Sequence, residues 1–250
     1  MNSLFYNLGR QVGPHVRKAK WLWHSLAGSQ TDAIKMENYV GRDLAVQIRN
    51  QLNPEQNRQI EEMLNLTGSQ LSRCVANRLR KFNFELVTGT EPNAFALPGG
   101  FIFITRSMVE LCNCDQDELA FILAHEMAHV ISGHAIDRII SNSAIKVVSG
   151  VALPNKPLAV WLRKLSLQFL ESAYSQQLES QADGLGVYLA DAAGFNPQSA
   201  VKMLERLAEL KSAENKTDIG RYFSSHPPYN VRISDIKRQI SVRCGQERKV

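Results

Sequence analysis

The sequence predicts an α+β fold, mostly helical and carrying one small sheet. Three observations lead there. Apolar residues recur at helical spacing between Asp32 and Arg80, Phe82–Thr88 and Phe101–Thr105 have strand character, and helical periodicity returns from Asp115 almost to the end. Helices, then a small sheet, then helices again keeps the two element types apart, which is the α+β order.

Residues 1–30 combine Arg10, Arg17, Lys18 and Lys20 with Leu4, Phe5, Tyr6, Leu8, Trp21, Trp23 and Leu26, and Gly13-Pro14 interrupts any helix among them. A basic, aromatic segment suits a membrane interface. The preferred reading is a terminal helix packed on the domain with its lysines in solvent, and an organellar transit segment is a minor third reading. Residues 1–30 are therefore expected as an appended segment and residues 31–245 as the main domain. Within that domain Leu44, Ile48 and Leu52 repeat every fourth residue, and Ile60, Met63 and Leu64 continue the pattern after Pro54. Phe82–Thr88 alternates as a strand, and Phe101–Thr105 is a second, more apolar one. Between them Asn93-Ala-Phe-Ala-Leu-Pro98-Gly-Gly100 suits an edge or a turn, because proline and glycine weaken a central strand. Asp115 with Glu118 three residues later predicts a capping box for an amphipathic helix reaching about His134. Later helices are expected over about Leu162–Ala193, Pro197–Leu210 and Tyr229–Ile240. Gly150, Pro154 and Pro157 make Ile139–Pro157 a candidate lid.

Composition narrows the function classes. The chain has 250 residues, 44% of them hydrophobic and 21% charged, which is ordinary for a globular domain able to bury a core. Its net charge is +5, of which +4 sits on the four basic residues of the acid-free first 30, leaving +1 for the rest. A nearly neutral domain argues against nucleic acid as a partner. Cys74, Cys112, Cys114 and Cys244 form neither a zinc-knuckle spacing nor a disulfide framework, so free thiols in a reducing, cytoplasmic setting are expected. Val147–Leu162 is apolar but broken by Gly150, Pro154, Lys156 and Pro157, so no membrane span is expected, and no secretory signal is evident.

The chemistry is concentrated in His125-Glu126-Met127-Ala128-His129. Two histidines four residues apart on a helix lie about 40° apart around its axis, so both imidazoles can reach one metal ion. Glu126 projects to the same side and can act on a water at that ion without ligating it. Zinc lowers the pKa of its bound water to about 7, and a nearby carboxylate can take the proton. Burying two histidines and a glutamate among Leu119, Ile122, Leu123, Val130 and Ile131 would be costly without a metal or partners. A catalytic zinc needs a third protein ligand and an open position. Glu179 is the best candidate, with Glu171 as its rival and a solvated helix face as the plain alternative. Asp183, one turn beyond Glu179, would face the same way and could accept a ring N–H from a ligand histidine. His134 should point about 140° away from His129 on a continuous helix, which makes it a helix-terminal histidine rather than a ligand. His226 stands at a loop-to-helix junction, where an oxyanion-stabilising role and a plain helix-start loop are both open.

These residues resemble a known family. His125-Glu-x-x-His129 followed by Glu179-x-x-Ala182-Asp183 looks like the gluzincin peptidases of metallopeptidase family 48. Three further stretches resemble its soluble Oma-like branch: Asn93–Gly100 with the following strand, Gly184-x-Gly186 through Ala193-Gly194-Phe195-x-Pro197, and Ser225-His-Pro-Pro228 with Arg232. The resemblance spans about residues 37–240. It implies a mostly helical zincin-type fold whose small sheet lines the cleft with an edge strand, and one Zn2+ per chain held by His125, His129 and Glu179. It also implies Glu126 as general base, and His226 and Arg232 as residues that hold the site or the tetrahedral intermediate. Asn93, Ala94, Phe95, Ala96, Pro98, Gly99 and Gly100, with Phe101–Ile104, would form the edge where substrate adds as a strand.

The expected function is zinc-dependent endopeptidase activity on a peptide or protein substrate, with peripheral membrane contact through residues 1–30 as an additional reading. Two other readings stand beside it. One is a catalytically latent, zinc-containing peptide-binding or chaperone-like module, against which an intact Glu126 argues, because a structural site has no use for a base. The other is a membrane adaptor acting through residues 1–30.

Overall fold

The computed structural model describes residues 29–139, 174–213, 226 and 229–247. The appended segment up to residue 28, the candidate lid beyond Ile139, the rival ligand Glu171, and Ser225, Pro227 and Pro228 lie outside the described residues.

Helix α1 (Gln30–Leu52) starts at Ser29, whose hydroxyl accepts a hydrogen bond from the Asp32 amide at 3.2 Å. Helix α2 (Arg58–Arg73) starts at Asn57, whose side chain accepts from the Ile60 amide at 3.3 Å. It stops at Arg73, short of the predicted Arg80. The Asn77 side chain accepts from the Leu79 amide at 3.0 Å, a local turn that competes with helical hydrogen bonding.

Three strands follow: β1 (Asn83–Val87), β2 (Ala94–Leu97) and β3 (Phe101–Thr105), with a single 3-10 turn at Pro98–Gly100 between the last two. The sheet order is β1-β3-β2, with β3 parallel to β1 and antiparallel to β2. Phe101–Ile104 therefore lies on the central strand, paired on both sides, and cannot accept a substrate strand. Among the described residues β2 is the outer strand, with no partner on its far side, and every residue of it is buried. Thr105 donates its amide to the Asn93 carbonyl at 2.9 Å. The alternation of an antiparallel ladder then turns the N–H and C=O groups of Ala94 and Ala96 away from β3.

Helix α3 (Arg106–Leu111) is capped by Thr105, and α4 (Gln116–Ile131) by Asp115, whose carboxylate accepts from the Asp117 and Glu118 amides at 2.9 and 3.2 Å. Only half of the predicted capping box exists. The Glu118 side chain is buried and pairs with Arg206 at 2.9 Å instead of reaching back to the cap. Nor is α4 amphipathic: every residue from Glu118 to Val130 is buried. A helix covered on all sides is a central one. It ends earlier than expected, because Gly133 at φ 76° reverses the chain after Ile131. Residues 134–139 then form a separate helical stretch.

Helix α5 (Gln176–Ala192) does not continue from Leu162; it begins at Ser175, whose hydroxyl accepts from the Leu178 amide. Helices α6 (Ser199–Ala213) and α7 (Tyr229–Glu247) complete the described fold. The sheet separates two cores. On one face Phe95, Leu97 and Phe103 pack with Leu44 and Ile48 of α1. On the other Ala94, Ala96, Ile102 and Ile104 pack toward α4. Burying each large aliphatic side chain contributes about 1.5–3 kcal/mol, so both faces hold the sheet firmly. Helix α5 comes close to α4 at Gly186, where a Cβ would stand 3.0 Å from the His125 backbone nitrogen.

Candidate metal centre

Helix α4 supplies three functional side chains from its buried interior: His125, Glu126 and His129. The four-residue spacing places the histidine rings on one side, with Nε2 atoms 3.1 Å apart. Across from them α5 presents Glu179, whose Oε1 lies 3.3 Å from His129 Nε2 and whose Oε2 lies 3.6 Å from His125 Nε2. Glycine at 186 lets the two helices come this close, so the small residue positions the carboxylate. His226, just before α7, completes the group: its Nδ1 is 2.8 Å from Glu179 Oε1 and 3.5 Å from His125 Nε2.

One donor atom from each of His125, His129, Glu179 and His226 lies within 4.8 Å of the others. Nitrogen and oxygen donors crowded this closely, and buried, fit a divalent cation. Two imidazole Nε2 atoms facing each other at 3.1 Å cannot both carry hydrogen, and a cation between such donors removes the conflict. The donor set suits zinc. Glu126 Oε1 is buried with no hydrogen-bond partner among the described residues and lies 3.7 Å from His226 Nε2. A buried carboxylate with one oxygen free of partners among the described residues is suited to handling a proton.

Electrostatics follow from burial set against specific partners. Burial pushes the Glu126 carboxyl up to about 7. Burial opposes a charged His125, but the Asp183 and Glu179 carboxylates outweigh it and hold that imidazole above its usual value. Burial also resists a charged Glu179, yet His226 and Arg232 keep it well below the usual carboxylate range. Asp183 is likewise opposed by burial and brought down to about 2 by Arg232. Burial lowers His129 well below its ordinary value and takes His226 down to about 4.

Around the donors stands a supporting layer. Asp183 Oδ1 lies 2.9 Å from His125 Nδ1, the contact its position one turn after Glu179 suggested. Arg232 donates two hydrogen bonds to Asp183, both 2.7 Å, and its Nη1 lies 3.0 Å from Glu179 Oε2. That places Arg232 as a brace for two carboxylates. Asn93 is buried at the start of β2, and its Oδ1 has no partner among the described residues. Ala94, Phe95, Ala96, Pro98, Gly99 and Gly100 are all buried along that strand and turn.

Two residues of this layer escaped the sequence reading. His134 is not turned away: its Nδ1 is 3.1 Å from His129 Nδ1 and its Nε2 is 3.3 Å from Gln181 Oε1. The 140° estimate assumed a continuous helix, and Gly133 breaks it. Tyr174, directly before the Ser175 cap, stacks on the His129 ring with centroids 3.9 Å apart and planes at 17°. The Arg138 guanidinium lies over the same tyrosine at 4.4 Å. One signal for His134 was present. Beyond the first 24 residues the chain has four histidines, and all four meet here.

Comparison with known proteins agrees with this geometry. Peptidase family M48 matches residues 51–240. The mitochondrial metalloendopeptidase OMA1 of Saccharomyces cerevisiae is 33% identical over 152 residues, covering 60% of this chain and 44% of that protein. Its counterpart of the same name in Schizosaccharomyces pombe is 30% identical over 161 residues, covering 64% and 47%. The metalloprotease YcaL of Escherichia coli is 24% identical over 182 residues, covering 69% and 68%. The chain thus spans less than half the length of the two yeast proteins.

Proposed function

Because the chain belongs to peptidase family M48, we propose that it is a zinc metalloendopeptidase that hydrolyses peptide bonds of peptide or protein substrates. His125, His129 and Glu179 hold the metal and Glu126 is the general base. The observation that carries this reading is the placement of a buried Glu126, one oxygen of which has no partner among the described residues, beside a convergent His/His/Glu donor set. Zinc bound there supplies a Lewis acid that polarises the scissile carbonyl and makes water acidic enough to give up a proton near pH 7.

Glu126 takes the proton from the attacking water and passes it to the nitrogen of the departing amine. Burial holds its carboxyl up in the metal-free chain, and a cation bound beside it would bring it down and keep it ionised to accept a proton. The substrate adds as a strand along the outer edge of β2, where the Ala94 and Ala96 backbone groups point away from β3, which requires whatever buries that edge to give way. Asn93 Oδ1, without a partner among the described residues, accepts a substrate N–H. Arg232 holds Asp183 and Glu179 in place. His226, whose Nε2 lies 3.7 Å from Glu126 Oε1, is the residue read as stabilising the oxyanion, which requires its Nδ1 to release Glu179 or the ring to take a second proton.

A second reading rests on the presence of His226 among the donors. Four protein donors around a cation close the position a catalytic site keeps open, which is the geometry of a latent, peptide-holding module. The deciding experiment is mass-spectrometric cleavage of a peptide library by the zinc-loaded chain, with Glu126→Gln and His226→Ala beside it. Cleavage by wild type that falls by several orders of magnitude in Glu126→Gln supports the peptidase. Cleavage that appears only in His226→Ala supports latency, and equal cleavage by wild type and Glu126→Gln refutes the assignment of the base.

Residues 31–245 are read as the peptidase domain and residues 1–30 as an appended segment that touches a membrane surface. Four basic residues without an acid support that contact. No described helix is long and apolar enough to cross a membrane. We place the chain in the cytoplasm, on the strength of Cys74, Cys112 and Cys114, which form no disulfide among the described residues.

A further inference from the structure

The proposed reaction leaves His134 without a task, although it is buried against a residue that holds the metal. We propose that His134 is a positioning residue. It accepts a hydrogen bond from Nδ1–H of His129 and so fixes both the tautomer and the orientation of that ligand. The inference rests on reading His129 as a ligand through Nε2.

The proton arithmetic runs along a chain of three side chains. His129 Nε2 faces His125 Nε2 at 3.1 Å and Glu179 Oε1 at 3.3 Å, so Nε2 is the nitrogen that meets a cation and must be free of hydrogen. A neutral imidazole carries one N–H, which places the proton of His129 on Nδ1. The atom opposite, 3.1 Å away, is Nδ1 of His134. It must therefore be an acceptor, which leaves the proton of His134 on Nε2. There Gln181 Oε1, which can only accept, stands 3.3 Å away. Each nitrogen in the chain has one role and no two hydrogens meet. With the proton on His134 Nδ1 instead, His129 would accept there and carry hydrogen on Nε2, in the middle of the donor cluster.

Geometry supports the same role from a second direction. The His129 and His134 rings meet edge-on, at 66° with centroids 5.2 Å apart, while Tyr174 covers a face of His129 in a parallel stack. His129 is thus held at both nitrogens and on one face. Its partner ligand His125 is held at Nδ1 by Asp183, a charged acceptor. His134 is the uncharged counterpart. Groups behind metal-bound histidines set ring orientation and basicity, and their loss typically weakens metal binding roughly 10–100-fold.

The test uses the full zinc-loaded chain. Long-range proton–nitrogen correlation on 15N-histidine-labelled wild type should show hydrogen on Nδ1 of His129 and on Nε2 of His134. Hydrogen on Nδ1 of His134 overturns the proposal, and this arm needs no variant. Zinc affinity, measured by competition with a chromophoric chelator, is the second arm. His134→Phe fills the space without an acceptor and should bind zinc roughly 10–100-fold more weakly. His134→Asn, whose Oδ1 falls near the lost Nδ1, should restore most of that loss. Wild-type affinity in His134→Phe, or equal losses in both variants, overturns the role. His129→Ala separates the two readings. Unchanged zinc content there sinks the ligand assignment and this inference with it. Zinc lost from His129→Ala but fully retained by His134→Phe sinks only the inference.

Discussion

An ionised carboxylate buried as Glu126 is, with one oxygen lacking a partner among the described residues, destabilises the protein that carries it. The sign follows from linkage. Folding raises the Glu126 pKa from 4.5 to about 7, so its favourable contribution is complete below pH 4.5 and is lost as pH rises through 7. The loss is on the order of 3 kcal/mol, at about 1.36 kcal/mol per unit. Metal-free Glu126→Gln should therefore melt several degrees above metal-free wild type at pH 8, and the gap should close by pH 4.5. Calorimetry across that range checks it; a gap independent of pH would mean the carboxylate is solvated. At this scale the sequence was most informative. The spacing of His125, Glu126 and His129, and of Glu179 and Asp183, is local to two helices, and local spacing survives into the fold. The His134 contact depends on a chain reversal at Gly133, and the Tyr174 contact on the packing of two distant segments. Neither is encoded in spacing.

Between elements, the site depends on how closely α5 approaches α4. That distance is set at Gly186, where a Cβ would stand 3.0 and 3.1 Å from the His125 backbone nitrogen and Cα. Backbone of a fully buried helix cannot move aside easily. Gly186→Val should force the helices apart, lower stability by about 1–3 kcal/mol and displace Glu179 from the histidines. Zinc affinity and a denaturant melt on the same sample measure both effects. A variant that loses neither would show that the helices can slide. Gly186 was visible in the sequence as part of a motif, but its role as a spacer was not. The same holds for β3. Its composition marked it as a strand, while its central place follows from the β1-β3-β2 order, which is a matter of long-range pairing. The capping box failed for a related reason: Glu118 found Arg206, 88 residues away, a better partner than its own cap.

For the molecule as a whole, the separation of charge outlines a division of labour. The first 30 residues hold +4 of the +5 net charge, and the rest is nearly neutral. Deleting residues 1–28 should abolish flotation with anionic liposomes and leave zinc content unchanged. Flotation that persists would transfer membrane contact to the domain itself. The α+β class was legible because strand and helix patterns occupy separate stretches. That α4 would be the axis was not, since burial from Glu118 to Val130 depends on what surrounds the helix.

A helix with no solvent-facing side also has no route to partial opening. The amides of Leu119–Val130 should exchange with deuterium only when the entire structure opens, so their exchange rate reports the lifetime of the native state. Two proposed ligands stand on that segment. Unfolding of that segment scatters both ligands, so a bound ion would stabilise the whole chain against global opening by an amount that grows with the free zinc concentration.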